Sequence, residues 1–188
     1  HTHLAETVEE DAYCRELYGC TPVEYLERVG WLDGDVWCAH CVHLSDAEVS
    51  RFGAAGVGVA HCPTSNLRLG AGIAPVRALL DAGATVALAT NANPGSSYTT
   101  SMAYCVATAV LQMRLSIAEA VYAATAAGAK ALRRNDDGVI EVGARADLQV
   151  LEAPSVTHIA YRPGVPLTLA VWRLGQRIPA AEWPSVTG

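Results

Sequence analysis

Apolar positions fall in short runs, and segments of helical period separate them through the first half of the chain. The runs cover residues 1–5, 35–40 (Asp-Val-Trp-Cys-Ala-His), 57–61 (Val-Gly-Val-Ala-His) and 84–90 (Ala-Thr-Val-Ala-Leu-Ala-Thr). Each is short, bounded by turn residues and rich in small or β-branched side chains, so each is predicted to be a strand. Helix starts lie between and after them. Thr7 to Glu10 has capping-box spacing, as do Thr21 to Glu24, Ser45 to Glu48 and Ser116 to Glu119, and Pro22 takes the first helical position. Pro75 to Ala82 reads as a short helix stopped by Gly83, and residues 99–133 form a longer helical region. Strand and helix alternating at this rhythm imply right-handed βαβ units and a parallel sheet. Four parallel strands do not close a barrel. The sheet is either open or half of an eight-stranded barrel.

Near residue 136 the texture changes. Gly138 to Leu151 alternates and carries turn residues, which predicts a β-hairpin. Pro166 to Arg173 followed by Gly175 to Ile178 predicts another. The expected organisation is an α/β unit over residues 1–135 and a β-rich segment over 136–188.

With 188 residues, 51% of them apolar and 17% charged, there is material for one core. Thirteen basic residues against nineteen acidic ones leave a formal net charge of −6, which argues against a nucleic-acid surface. No apolar run approaches the ~20 residues of a membrane span. No signal peptide is visible and the sequence begins without Met, so a truncation or processing product is expected. The six cysteines (Cys14, Cys20, Cys38, Cys41, Cys62, Cys105) are expected to be free buried thiols in a reducing cytoplasm. Cys38-Ala39-His40-Cys41 suggests a zinc knuckle, but no second ligand pair occurs at suitable spacing.

In a parallel α/β sheet, functional residues gather at the carboxyl ends of the strands. Three predicted strands end in histidine (His3, His40, His61), and the fourth runs into Thr90-Asn91. Glu6 lies three positions after His3. A neutral imidazole can hold a divalent cation and a carboxylate can move protons beside it, so this rim is the candidate site. Elsewhere the bland readings prevail: His1 as an alternate-face neighbour of His3, His43 as a loop residue, His158 as structural. His61 could hold its loop or face a pocket, and the polar stretch His61 to Gly70, with Ser65 and Asn66, could line a pocket or simply connect.

Three motifs occur in order: His3-Leu-Ala-Glu6, Ala39-His-Cys-Val-His-Leu44 and His61-Cys-Pro-Thr-Ser-Asn-Leu-Arg-Leu-Gly-Ala-Gly-Ile-Ala-Pro75. Together they resemble the second half of the amidohydrolase superfamily, in the branch of 8-oxoguanine deaminase, S-adenosylhomocysteine deaminase and triazine hydrolases. This covers residues 1–85. From there, Ala87-Leu-Ala-Thr-Asn-Ala-Asn-Pro-Gly-Ser-Ser97 and His158-Ile-Ala-Tyr-Arg-Pro-Gly164 resemble imidazolonepropionases, and Gly138 to Leu151 is similar to strands of the family's small β-sandwich. Two branches joined near residue 85 imply either a natural intermediate or a hybrid.

The resemblance implies the carboxyl-terminal half of a TIM-type (β/α)8 barrel, strands five to eight, and then strands of a small β-sandwich. It implies one divalent metal, zinc or iron, with His3 as a ligand, Glu6 as proton shuttle and His40 polarising the substrate or steadying the attacking hydroxide. Beside these, His61, Ser65 and Asn66 of the polar stretch are the candidates for contact with substrate. The family's eighth-strand aspartate, a ligand and base, is replaced here by Asn91, and a carboxamide is a poor ligand and no base. The first-strand His-x-His pair is not found. His1-Thr2-His3 has that spacing, but Leu4-Ala5-Glu6 and the two later motifs fit it better to the fifth strand. The implied activity is hydrolysis of a C–N bond in a small purine-like, cyclic amidine or imidazolone substrate. The motifs before residue 85 favour a deaminase, with an imidazolonepropionase or a non-catalytic barrel fragment as alternatives. With the donor set incomplete, the 188-residue polypeptide is expected to hold metal weakly and to self-associate through open strand edges.

Overall fold

The computed structural model describes residues 1–179. Residues 180–188 of the expected β-rich segment lie outside the described residues. Four strands, β1 (Thr2–Leu4), β2 (Trp37–His40), β3 (Gly58–His61) and β4 (Thr85–Leu88), form one sheet in the order β1-β2-β3-β4. Every pairing is parallel, in the registers Thr2 with Cys38, Trp37 with Gly58 and Gly58 with Thr85. Sequential parallel neighbours with all carboxyl ends on one rim are the arrangement of a (β/α) barrel segment.

Helices fill the crossovers. α1 (Val8–Tyr18) and α2 (Pro22–Arg28) come after β1, α3 (Asp46–Ala55) after β2, and α4 (Pro63–Leu69) and α5 (Val76–Asp81) after β3. Beyond β4 come α6 (Met102–Met113), α7 (Ile117–Ala124) and α8 (Ala126–Ala131). Reciprocal capping boxes form at Thr21, Ser45 and Ser116, as the spacing predicts. Glu48 does more than cap α3: it also accepts the Thr21 hydroxyl at 2.6 Å and so ties the starts of α2 and α3 together. At Thr7 the box is only half made, because the Glu10 carboxylate binds the backbone at Ala5 and Glu6 instead.

Two elements differ from the pattern-based expectation. Residues 63–69, part of the polar stretch read as a pocket lining or a simple connection, form helix α4, with Pro63 at its first position and Gly70 in left-handed geometry at its end. The polar stretch carries helix punctuation at both ends, and that decides its state. The hairpin expected over 138–151 does not form. Only β5 (Leu148–Leu151) appears, and it pairs antiparallel with β6 (Thr168–Arg173) rather than with residues 138–144. Local alternation there is overridden by a longer-range partner. The second expected hairpin does form, between β6 and β7 (Gln176–Ile178). A short unanticipated helix, α9 (His158–Tyr161), packs against α6.

The core lies between the sheet and its helices. Phe52, Leu79, Val57, Val59 and Val86 are buried there, with Val23, Val76 and Val106 closing it from the helical side. All six cysteines are free and buried. Among the described residues no helix is long and apolar enough to cross a membrane.

Among the described glycines the closest approach is at Gly53 on α3, where an added Cβ would lie 2.0 Å from the Ala82 carbonyl oxygen. Gly53→Ala on an open helix face would gain about 1 kcal/mol from propensity. Here the obstacle is backbone, so we expect a net loss of about 1–3 kcal/mol instead, measured by urea unfolding of the two chains. A stabilised variant would show that α3 and the α5 terminus are not in contact.

Candidate active site at the carboxyl rim of the sheet

The rim departs from regular backbone just where the strands end. Ala5 (φ 50°), His40 (φ 71°), Cys41 (φ 50°) and Asn91 (φ 47°) are all left-handed non-glycine residues. Each such residue costs roughly 1–3 kcal/mol, and such strain gathers at functional sites. Asparagine tolerates this geometry better than most residues, which suits it to position 91.

The strain is held by hydrogen bonds. The backbone amides of Ala5 and Glu6 donate to the two oxygens of the Glu10 carboxylate at 2.8 and 2.9 Å. The amides of Val42 and His43 donate to the Ala5 carbonyl, both at 2.9 Å, so the turns after β1 and β2 are locked to each other. On the other side, Asn93 organises the loop after β4. Its side-chain oxygen accepts the amides of Gly95 and Ser96 at 2.8 Å each, and its nitrogen donates to the Asn91 carbonyl at 2.6 Å. Ser65 on α4 donates to the Ser96 hydroxyl at 2.9 Å and joins that loop to the third crossover.

His3 pairs in register with Ala39 rather than His40, so strict alternation would place the two rings on opposite faces. The left-handed backbone at His40 breaks the alternation. Its ring lies 5.1 Å from that of His3, stacked at 23°. His40 Nδ1 is 3.4 Å from Glu6 Oε1 and 2.8 Å from Asn66 Oδ1. His3 is exposed, the Glu6 side chain keeps 22% of its exposure, and His40 is fully buried. Four of the residues singled out from sequence (His3, Glu6, His40 and Asn66) therefore meet at one spot.

His61 is close by but differently engaged. Its Nε2 lies 3.0 Å from the Met113 sulfur, and its Nδ1 is buried without a hydrogen-bond partner. Burial, reinforced by His40, pushes this imidazole down to about 4, so it is neutral at pH 7. Burial likewise pushes the Cys62 thiol up to about 12, which rules it out as a nucleophile near neutral pH. Ser65 reaches the loop after β4 rather than His40. Asn91 stands at the end of the fourth strand, with its backbone carbonyl taken by Asn93. His158 opens α9, with its ring against that of Tyr161.

Among the described residues no three His, Cys, Asp or Glu side chains gather as a metal cluster. His3 offers one imidazole and Asn91 a carboxamide, so the chain's own side chains do not fit a complete metal site. Glu10 and Asn93, which shape the rim, carry no sequence signal of a site. Glu10 has the spacing of a capping residue, and Asn93 belongs to a turn-rich Asn-Pro-Gly run.

The neutral buried His61 makes stability pH-dependent. Its folded value, about 4, lies below the ordinary ~6.5, so between these pH values the unfolded chain takes up a proton that the folded chain refuses. Stability is full above the ordinary value and falls as pH drops toward the folded one. We expect wild type to lose roughly 2 kcal/mol more than His61→Gln between about pH 7 and pH 5, read by urea unfolding. Equal losses in the two proteins would contradict a buried neutral His61.

Comparison with known proteins agrees with this fold. The sequence profile of the Amidohydrolase family matches residues 1–176. Imidazolonepropionase of Saccharopolyspora erythraea is 54% identical over 143 residues, covering 74% of this chain and 37% of that protein. Imidazolonepropionase of Micrococcus luteus is 54% identical over 152 residues, covering 73% and 38%. The chain thus spans little more than a third of these curated relatives. Among solved structures, a zinc-bound adenosine deaminase from Xanthomonas campestris is similar with a TM-score of 0.84 at 32% identity, covering 93% of this chain and 44% of that one. The atrazine chlorohydrolase of Arthrobacter aurescens, with zinc, has a TM-score of 0.82 at 31% identity, covering 94% and 43%. The four parallel strands are therefore a segment of a TIM-type barrel, and the chain belongs to the amidohydrolase family.

Proposed function

We propose that this chain supplies the proton-handling side of an amidohydrolase site that hydrolyses a C–N bond in a small cyclic nitrogenous molecule. The observation that carries the reading is the Glu6–His40 pair, 3.4 Å apart at the carboxyl ends of adjacent parallel strands. Hydrolysis adds water across the bond: its oxygen goes to the ring carbon and one of its protons to the departing nitrogen. Glu6, partly exposed and clamped by Glu10 through its backbone, is placed to accept that proton and pass it on. A positioned general acid–base group contributes about 10²–10⁴-fold. The zinc or iron expected of the family needs ligands beyond His3, so the part assigned to this chain is the movement of protons.

Opening of an imidazolone ring is the favoured reaction. It is supported by relatives named imidazolonepropionase at 54% identity, against 32% for the adenosine deaminase. Deamination of a purine-like ring is the second reading, supported by the His3-to-Glu6 motif and by the resemblance to the E. coli guanine deaminase, with a TM-score of 0.76 at 27% identity. The open outer edges of β1 and β4 support self-association of the isolated chain.

The test joins this chain to the amino-terminal part of the Saccharopolyspora erythraea imidazolonepropionase and assays imidazolonepropionate and 8-oxoguanine with zinc. Imidazolonepropionate should be consumed and 8-oxoguanine left intact. Asn91→Asp should raise turnover by at least the roughly 10–100-fold that even outer-shell partners of a metal are worth. Turnover of 8-oxoguanine alone would select the second reading, and turnover of neither by the Asp variant would overturn both.

A further inference from the structure

Among the described residues, three polar atoms of the rim are buried without a partner: His40 Nε2, His61 Nδ1 and Asn66 Nδ2. Two of them belong to one hydrogen-bonded pair. Both oxygens facing His40 Nδ1, from Asn66 and from Glu6, are acceptors, so a hydrogen on Nδ1 satisfies the geometry and a lone pair there would face two oxygens. Turning the Asn66 amide over would only exchange one unmatched buried atom for another, so the choice rests on the Glu6 carboxylate, an acceptor in either case, which favours a hydrogen on Nδ1. Asn66 at 2.8 Å is within ordinary N–H···O range, whereas Glu6 at 3.4 Å is beyond it. Asn66 is fully buried on α4, a helix fixed by Pro63 and Gly70, so its oxygen is held rigidly.

We propose that Asn66 is a positioning residue that fixes His40 as its Nδ1–H tautomer and thereby leaves Nε2 as the working atom. This rests on the reading of the rim as a hydrolytic site, and it sharpens the role of His40. A neutral Nε2 carries a lone pair, so it accepts a hydrogen bond. It can steady the O–H of an attacking water, and it has no proton with which to polarise a substrate carbonyl. Asn66 itself, expected from sequence to touch substrate, acts instead through His40. The side chain also explains the strained backbone at His40, because φ 71° brings the ring round to where the Asn66 oxygen meets it.

The experiment is nitrogen-15 NMR of the full chain with labelled histidine, at about pH 8, above the ordinary imidazole range. The His40 signal is identified by its loss in His40→Gln. In wild type His40 should carry its hydrogen on Nδ1, and that hydrogen should exchange slowly with solvent. In Asn66→Leu the hydrogen should move largely to Nε2, while in Asn66→Asp, which keeps an acceptor, it should stay on Nδ1. Should Asn66→Leu not fold, Asn66→Ala is read the same way. An Nε2–H tautomer or a rapidly exchanging Nδ1–H in wild type overturns the proposal without any variant. Retention of Nδ1–H in Asn66→Leu or Asn66→Ala overturns it too, by assigning the tautomer to Glu6. None of these readouts requires turnover, so they stand or fall separately from the proposed reaction.

Discussion

Glu10 accepts the amide hydrogens of Ala5 and Glu6 through both carboxylate oxygens, and the rest of the rim depends on that clamp. A strand at its carboxyl end has amides that no ladder satisfies, and a left-handed residue such as Ala5 is unstable there without help. Charge-assisted bonds to a carboxylate supply that help at roughly twice the strength of neutral ones. With Ala5 fixed, its carbonyl takes the amides of Val42 and His43, and the β2 turn is set by the β1 turn. Glu6 then meets His40 because both backbones are held, not because the two side chains attract across water.

The same logic runs along the rim. Asn93 holds the loop after β4 through both of its amide atoms, and Ser65 ties that loop to α4, the helix that presents Asn66 to His40. Each crossover thus braces its neighbour. Burial at this rim has two consequences that differ in kind. It keeps His61 neutral and Cys62 protonated, which removes them from charge chemistry near pH 7. It also leaves Nε2 of His40 buried without a hydrogen-bond partner among the described residues, and the proposed tautomer puts the lone pair of the ring on that atom.

Much of this is legible in the sequence, for identifiable reasons. The four strands are short apolar runs bounded by helix caps, and parallel order comes from chirality, so the sheet can be built from pattern alone. His3, Glu6 and His40 are legible because strand ends are where such folds place chemistry. Glu10 is hidden, since Thr7-x-x-Glu10 looks like an ordinary capping box and only the tertiary turn at Ala5 redirects its carboxylate. The pairing of Asn66 with His40 is hidden for a similar reason: it links positions 26 residues apart through a helix whose polar face resembles a loop. The hairpin expected before Leu151 fails because alternation cannot say which strand will be the partner.

Glu6 is the group proposed to move the proton, held beside His40 by its backbone. The most direct measurement is kcat and KM for imidazolonepropionate in the joined barrel, comparing Glu6 with Glu6→Gln, a substitution that keeps shape but cannot accept the proton. A proton-moving Glu6 predicts a fall in kcat of about 10²–10⁴-fold with KM little changed. A variant within a few-fold of the parent kcat would contradict that role.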